Sequence, residues 1–321
     1  MRYVITGGGG FIGSHLAEHL KDRVNDEIVI VDKISNHSKT HNLNMSEYTY
    51  YLADIADADI MMKILQKDDV VFHLAAQPHV DLSYINPMET TISNVLGTHS
   101  VLNSCLKNEV KSLTVMSTDE VYGSTNVIDD NTKLDPTNPY SATKAAADML
   151  VNSFKHMYPD MKINTLRSNN IIGPRQFIRN IIPRFSLQAL TGRNITLHGK
   201  GEAERRYLWV KDAAEALWLI SKSDYNHKIY NIGHPEVYSN FDIAEMICDH
   251  LEIGHEIIQT TEDRIYNDTI YPYNPTDIER DLGWKHSLDP DISIPITIDW
   301  YKDNLSYFEE YYHILCVSMK T

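Results

Sequence analysis

Cysteine is scarce in this chain. Cys105, Cys248 and Cys316 are the three in 321 residues. They stand too far apart for a disulfide framework or a metal cluster, and they fit a reducing, cytoplasmic compartment. No run of about 18 apolar residues occurs, so no membrane span is expected. The first residues run directly into the strand-like stretch Tyr3–Thr6, without the charged, apolar and small-residue succession of a secretory signal. Positive charge is also short. The 29 Lys and Arg stand against 44 Asp and Glu, a net charge of −15. Neutralising a phosphate backbone takes clustered basic residues, so nucleic acid is not an expected partner. A small phosphate-bearing ligand stays open wherever a few arginines converge. Internal repeats and low-complexity segments are absent too.

What is present is an alternation. Short apolar, β-rich runs at Tyr3–Thr6, Ile28–Asp32, Tyr48–Leu52, Val70–Leu74, Ser112–Ser117 and Lys162–Arg167 are separated by helical patterns. The clearest helices are Gly13–Lys21, Pro87–Leu106 and Ser141–Tyr158. This rhythm predicts an α/β fold, a Rossmann-type doubly wound parallel sheet with helices on both faces. After Arg167, glycines and prolines loosen the pattern before a further strand and helix, Lys228–Ile232 and Phe241–Leu251. The expected division is a dinucleotide-binding domain over 1–167 and a smaller C-terminal lobe over 168–321, whose strands are free to return to the sheet.

The first strand ends in VITGGGGFIGSHLAEHL. Gly7, Gly10 and Gly13 fall between a strand and an amphipathic helix. Small residues there let the backbone approach a pyrophosphate, and the helix start offers unpaired N–H groups and a positive dipole end. A flexible turn is the plainer reading of a glycine run; the strand-to-helix setting favours the nucleotide site. Asp32 ends the next strand. A carboxylate there accepts from an adenosine ribose and repels a 2′-phosphate, so NAD is expected over NADP; capping a turn is its alternative. Asp54 and Ile55 would frame the adenine. Leu74, Ala75 and Ala76 close the fourth strand with small groups that suit a nearby cofactor.

Tyr140 and Lys144 form Y-x-x-x-K after the helix-start signal Asn138–Pro139. Spacing of four on a helix puts both on one face. A free Tyr has a pKa of about 10, and a neighbouring ammonium favours the phenolate that would take a proton from a hydroxyl. Thr118, Asp119 and Glu120 follow the apolar run Leu113–Met116, at the strand end where such sheets bind ligands. Two adjacent acids there would divide into a proton donor and an acceptor if their surroundings differ. A loop or capping cluster is the alternative.

TGGGGFIGS, HLAA, STDEVYG and PYSATKAA, in this order, resemble the extended short-chain dehydrogenase/reductase family. STDEVYG is similar to the nucleoside-diphosphate-glucose 4,6-dehydratases within it. The likeness covers nearly the whole chain, through RSNNIIGPRQF, LHGKGEAERRYLWVKDAAEA and YNIGHPEVYSN. AAQPHVDLS and GPRQF look closer to the UDP-glucose dehydratase domain of plant rhamnose synthases than to bacterial dTDP-glucose enzymes. The resemblance implies NAD held by Gly7, Gly10, Phe11, Ile12, Gly13, Asp32, Asp54, Ile55, Leu74, Ala75, Ala76, Tyr140 and Lys144. It implies that Tyr140, helped by Lys144 and Thr118, takes the sugar 4-hydroxyl proton while hydride leaves C4. Glu120 then removes the C5 proton, Asp119 protonates the departing 6-hydroxyl, and the hydride returns to C6. The cofactor is thereby regenerated in a net dehydration, giving a 4-keto-6-deoxyglucose nucleotide on a route to deoxysugars such as rhamnose.

By the same likeness His79, Ser83, Thr118, Asn170, Arg205, Asn240, Arg264 and Tyr271 would touch the UDP- or dTDP-glucose. Arg205 and Arg264 suit phosphate as guanidinium forks. His79 as a satisfied loop histidine and Tyr271 as one of several packed aromatics are the alternatives. The chain departs from the pattern where relatives usually read Pro-Glu-Lys: here stand Ile178, Arg179 and Asn180. Ile270 likewise stands where an Arg often precedes the Tyr. A UDP-sugar 4-epimerase or glucuronate decarboxylase shares the first oxidation, and Asp119 discriminates against both. A non-catalytic NAD-binding protein would be expected to lose the Tyr or the Lys. Relatives pair through two long helices, here Pro87–Leu106 and Ser141–Tyr158, implying a homodimer; the helical stripe Ala145, Met149 and Phe154 reads either as its seam or as plain core.

Overall fold

The computed structural model describes residues 1–34, 42–125, 127–128, 132–262, 270–306 and 308. Its centre is a sheet of seven parallel strands: β1 (Arg2–Thr6), β2 (Glu27–Asp32), β3 (Thr49–Leu52), β4 (Val70–His73), β5 (Ser112–Thr118), β6 (Ile163–Ser168) and, from the C-terminal half, Ile229–Ile232. Their spatial order is 229–232, β6, β5, β4, β1, β2, β3. The chain winds outward from β1 through β2 to β3, then crosses back to β4 and winds the other way. That reversal opens a crevice at the carboxyl ends of β1 and β4.

The parallel sheet follows from the sequence. β4 and β5 are buried at every position, because helices cover both faces and leave no solvent side for alternation. Tyr3, Ile5, Ile30 and Phe72 face one apolar core with Leu16 and Leu20 from helix α1 (Phe11–Lys21). Val4, Val29, Val31 and Val71 face the other, with Val101, Leu102 and Phe154.

The stretch read as one helix over Pro87–Leu106 is continuous but not uniform. It is α over Pro87–Thr91, widens to a π-helix over Ile92–Leu96, and returns to α over Gly97–Lys107. The wider turn aims Asn94 inward, a common use of such irregularities. Its Oδ1 accepts the Gln77 N–H at 2.7 Å, and its Nδ2 donates to Gln77 O and Thr143 Oγ1.

Residues beyond 168 serve two layers. Helix Val210–Lys222 packs on the sheet beside α1. A separate apolar core gathers Ile182, Phe185, Ile195, Leu197, Tyr207, Ile243, Ile247 and Ile298 above the crevice. Short ladders tie it together: Asn170–Ile172 runs parallel to Tyr207–Trp209, Ile195–His198 parallel to Ile258–Thr261, and Glu204–Arg205 antiparallel to Tyr238–Ser239.

Candidate active site

A cleft of about 420 Å³ runs from the glycine loop past the ends of β4 and β5 to the second core. At one end Gly7 adopts φ +74°, and a methyl group there would meet the Ala75 nitrogen at 2.7 Å. Backbone meets backbone there, so position 7 takes only glycine. A methyl on Gly13 would fall 2.2 Å from the Gly7 carbonyl oxygen. The first bond of α1 runs from Ser14 N–H to Gly10 O, so the N–H groups of Phe11, Ile12 and Gly13 precede the ladder and face the cleft end. Asp32 accepts the N–H of Gly9 at 3.0 Å and of Ile34 at 2.9 Å. Asp54 and Ile55 line the same end. Asp54 pairs with Lys33 at 3.3 Å, and Lys33 also reaches Ser93 Oγ. Leu74, Ala75 and Ala76 form the floor.

Thr118, Glu120, Tyr140 and Lys144 meet midway along the cleft. Asp119 lies just behind its wall, 4% exposed. Asn138 caps helix Pro139–Met157, its Oδ1 accepting Ser141 N–H while Ser141 Oγ accepts Asn138 N–H. That places Tyr140 in the first turn and Lys144 one turn on. Lys144 Nζ donates to Met116 O at 2.7 Å. Burial lowers the pKa of Lys144, opposed by Asp148. Burial, the largest cause, holds the Tyr140 phenol above its ordinary range, and Glu120 adds to this; a hydrogen bond with Thr118 pulls the other way. The local pull toward the phenolate thus comes from Thr118, whereas the sequence pointed to the Lys144 ammonium. Burial likewise pushes Asp119 up to about 7, helped by Glu120 and opposed by bonds from Asn169 and Thr118. Glu120 is half-buried, and its Oε2 accepts from Asn138 Nδ2 at 3.1 Å.

At the far end stand His79, Asn170, Arg205, Asn240 and Tyr271. The ladder of 204–205 with 238–239 sets Arg205 beside the start of helix Asn240–His250. The Arg205 guanidinium lies 4.7 Å over the Tyr271 ring, and His79 meets Phe177 edge-on at 5.9 Å. Arg264 lies outside the described residues. Ser83 does not line the cleft. It is fully buried, its Oγ accepting the Tyr140 N–H at 3.1 Å and donating to Val80 O at 2.6 Å. At the Pro-Glu-Lys departure, Ile178 turns into the core against Leu187 and Tyr301, while Arg179 and Asn180 face the cleft.

Sequence reasoning missed several members. Asn138 was legible only as a helix start, yet it also holds Glu120. Asn169 donates to Asp119 Oδ2 at 2.5 Å; its neighbour Asn170 attracted the assignment. His73 bridges Thr6, before the glycine loop, to Thr98, and Thr98 Oγ1 donates to Asn94 O. No local pattern marks that chain of bonds. Elsewhere His234, His286 and Asp289 offer ligand atoms within 4.8 Å of one another. His234 Nδ1 accepts the Glu236 N–H at 3.2 Å, which puts the ring proton on Nε2, toward Asp289. The trio is a hydrogen-bonded pair with a second ring packed on it.

Comparison with known proteins matches residues 4–293 to the family model described as GDP-mannose 4,6 dehydratase. A dTDP-D-glucose 4,6-dehydratase of Dictyostelium discoideum is 33% identical, over 96% of this chain and 83% of that protein. A trifunctional Arabidopsis thaliana protein, named for UDP-glucose 4,6-dehydratase, 3,5-epimerase and reductase activities, is 37% identical over 94% of this chain and 47% of its own length. The crystal structure of DesIV, a dTDP-glucose 4,6-dehydratase from Streptomyces venezuelae with NAD bound, superposes with a TM-score of 0.92 at 29% identity, covering 97% of this chain and 99% of that one.

Proposed function

The chain belongs to the GDP-mannose 4,6-dehydratase family, and from that premise we propose that its cleft dehydrates a nucleoside-diphosphate-glucose, UDP- or dTDP-linked, to the 4-keto-6-deoxyglucose nucleotide. One observation carries the reading. A buried Asp119, held near 7, stands beside Glu120 just after β5, directly behind the wall of the cleft that Glu120, Tyr140 and the glycine loop line. A redox site alone has no use for that acid pair; an elimination needs both a proton donor and an acceptor.

The glycine loop, the helix start and Asp32 fit NAD: a Cβ would fill the cradle at Gly7 and Gly13, and the N–H groups of Phe11 and Ile12 suit a pyrophosphate. When bound, NAD would supply the hydride acceptor for the oxidation and the hydride donor for the later reduction. The residues do the proton work. Tyr140, tuned through Thr118, accepts the 4-hydroxyl proton. Lys144, one turn on from Tyr140 and fixed on Met116 O, would assist that transfer. Glu120, oriented by Asn138, removes the C5 proton made acidic by the 4-ketone. Asp119 is protonated near neutrality and donates to the departing 6-hydroxyl, which leaves as water. Arg205, Asn170, Asn240 and Tyr271 would hold the diphosphate and nucleoside at the far end of the cleft, and His79 would lie near the substrate there. The product would serve deoxysugar synthesis.

Incubation with UDP-glucose and dTDP-glucose tests this. The expected product has lost one water and carries a 4-keto group, with no net consumption of NAD. Recovery of only a galactose isomer would sink the reading. kcat/KM measured on both nucleotides decides the base.

A homodimer is part of the proposal. Met88, Ile92 and Leu96 lie exposed along one helix and Met149 along the next, an apolar surface that a second copy would cover. Of the stripe read as seam or core, Ala145 and Phe154 belong to the chain's own cores, and Met149 is the exposed member. No helix among the described residues is long and apolar enough to cross a membrane. The free, buried Cys105 and Cys248 suit a reducing cytoplasm.

A further inference from the structure

Asn169 follows β6 directly, at the wall of the cleft. Its Nδ2 donates twice, to Asp119 Oδ2 at 2.5 Å and to the main-chain carbonyl of Pro272 at 3.1 Å. Its Oδ1 is buried with no hydrogen-bond partner among the described residues. That oxygen lies 1.7 Å from where a Cβ on residue 233 would sit, so Gly233 is what admits the amide. The orientation is not interchangeable. Turned over, Oδ1 would face two acceptor oxygens, and both amide hydrogens would point at the Gly233 backbone. An orphaned buried acceptor is costly, so the two donated bonds are what hold this rotamer.

We propose that Asn169 is a positioning residue for Asp119: it keeps Oδ2 as an acceptor, which places the carboxyl proton on Oδ1, and it stabilises the carboxylate formed when that proton is given up. The inference rests on the dehydratase reading of the cleft. Oδ1 is the atom on the Thr118 side; it accepts from Thr118 Oγ1 at 3.2 Å, a longer bond than the 2.5 Å one from Asn169 to Oδ2. In the elimination Glu120 takes the C5 proton, the C5–C6 double bond forms, the C6–O bond breaks, and the Oδ1 proton goes to the leaving oxygen. Asp119 ends ionised, and the bond from Asn169 becomes charge-assisted at that moment, stronger than in the ground state. The Pro272 bond ties the same amide to the segment carrying Tyr271, whose ring underlies Arg205. Binding at the phosphate end and placement of the acid therefore share one side chain.

The charged and titratable groups acting on or feeling Asp119 are Glu120, Tyr140, Arg205 and Arg206. Asn169 is the neutral donor among them and favours the carboxylate. Removing it raises the Asp119 pKa further.

The test uses the full chain with NAD and a glucose nucleotide. Asn169→Ala removes the amide, and Asn169→Asp keeps its shape while replacing the donor. In single turnovers C4 oxidation, followed by formation of the reduced nicotinamide, is expected within about threefold of wild type, while water loss slows about 10- to 100-fold. The oxidised hexose and reduced cofactor then accumulate, and the alkaline limb of water loss moves to higher pH. Separately, carboxyl-carbon NMR of Asp119, assigned with Asp119→Asn, should titrate higher in both variants. Equal slowing of oxidation and water loss, or an unmoved Asp119 titration, overturns the inference. If wild type makes no 4-keto-6-deoxy sugar, the dehydratase reading fails, and the titration still decides the link between Asn169 and Asp119.

Discussion

The ammonium of Lys144 donates to the main-chain carbonyl of Met116 at 2.7 Å. This bond anchors the helix Pro139–Met157 to the end of β5, two residues before Thr118. In the proposed mechanism this fixed lysine assists Tyr140. Lys144→Met is expected to slow C4 oxidation by about 10²–10⁴, measured as single-turnover formation of reduced nicotinamide. A loss confined to substrate KM would contradict the role.

The pH dependence should separate the two proton steps. Tyr140 is held above its ordinary range, so the base form grows as pH rises and C4 oxidation accelerates toward alkaline pH. Asp119 must be protonated to act as an acid, so water loss falls above about 7. Step-resolved kinetics should show opposite slopes. In Asp119→Asn, water loss should drop to background with oxidation retained; parallel slopes would contradict the division of labour.

Asp119 should also weaken the fold as pH rises. Its folded value, about 7, exceeds the ordinary 3.8. The raised pKa means stability is fully present below the ordinary value and is lost as pH climbs through the folded one. The loss is on the order of 4 kcal/mol at most. Asp119→Asn carries no such penalty. Denaturant melts from about pH 4 to about pH 8 should show its stability gaining on wild type. A constant difference would mean the carboxyl is not shielded as its burial indicates.

Gly13→Ala adds a methyl 2.2 Å from the Gly7 carbonyl and 2.7 Å from the Gly8 Cα. Backbone cannot yield there as a flexible side chain can, so the loop must shift away from its pyrophosphate geometry. NAD affinity should fall at least about 10-fold, roughly 1.4 kcal/mol, in calorimetric titration. Unchanged affinity would mean the loop does not cradle the cofactor.

Ile92 and Met149 are 42% and 66% exposed on adjacent helices. Ile92→Glu with Met149→Glu places charge in the proposed subunit seam while leaving the interior untouched. Light scattering at micromolar concentration should show dimer turning to monomer. A wild-type monomer would remove the dimer from the proposal.

The sequence by itself determined what depends on neighbours along the chain. Glycines between a strand and a helix, a Tyr and a Lys one turn apart, and an acid pair closing an apolar strand each state a geometry within a few residues. The parallel sheet was legible for the same reason, since strands buried on both faces read as unbroken apolar runs. Tertiary structure alone decided who sets those groups. Asn169 reaches Asp119 across 50 positions, Ser83 meets the Tyr140 N–H across 57, and His73 joins Thr6 across 67. Each is an ordinary polar residue until the sheet stacks distant strands side by side and the π-turn aims Asn94 inward. The physical cause is that a buried polar atom must find a partner, and which partner it finds depends on the packing of the whole fold. The sequence could therefore name Asp119 as an acid, but only the fold shows the burial that keeps its proton near neutrality.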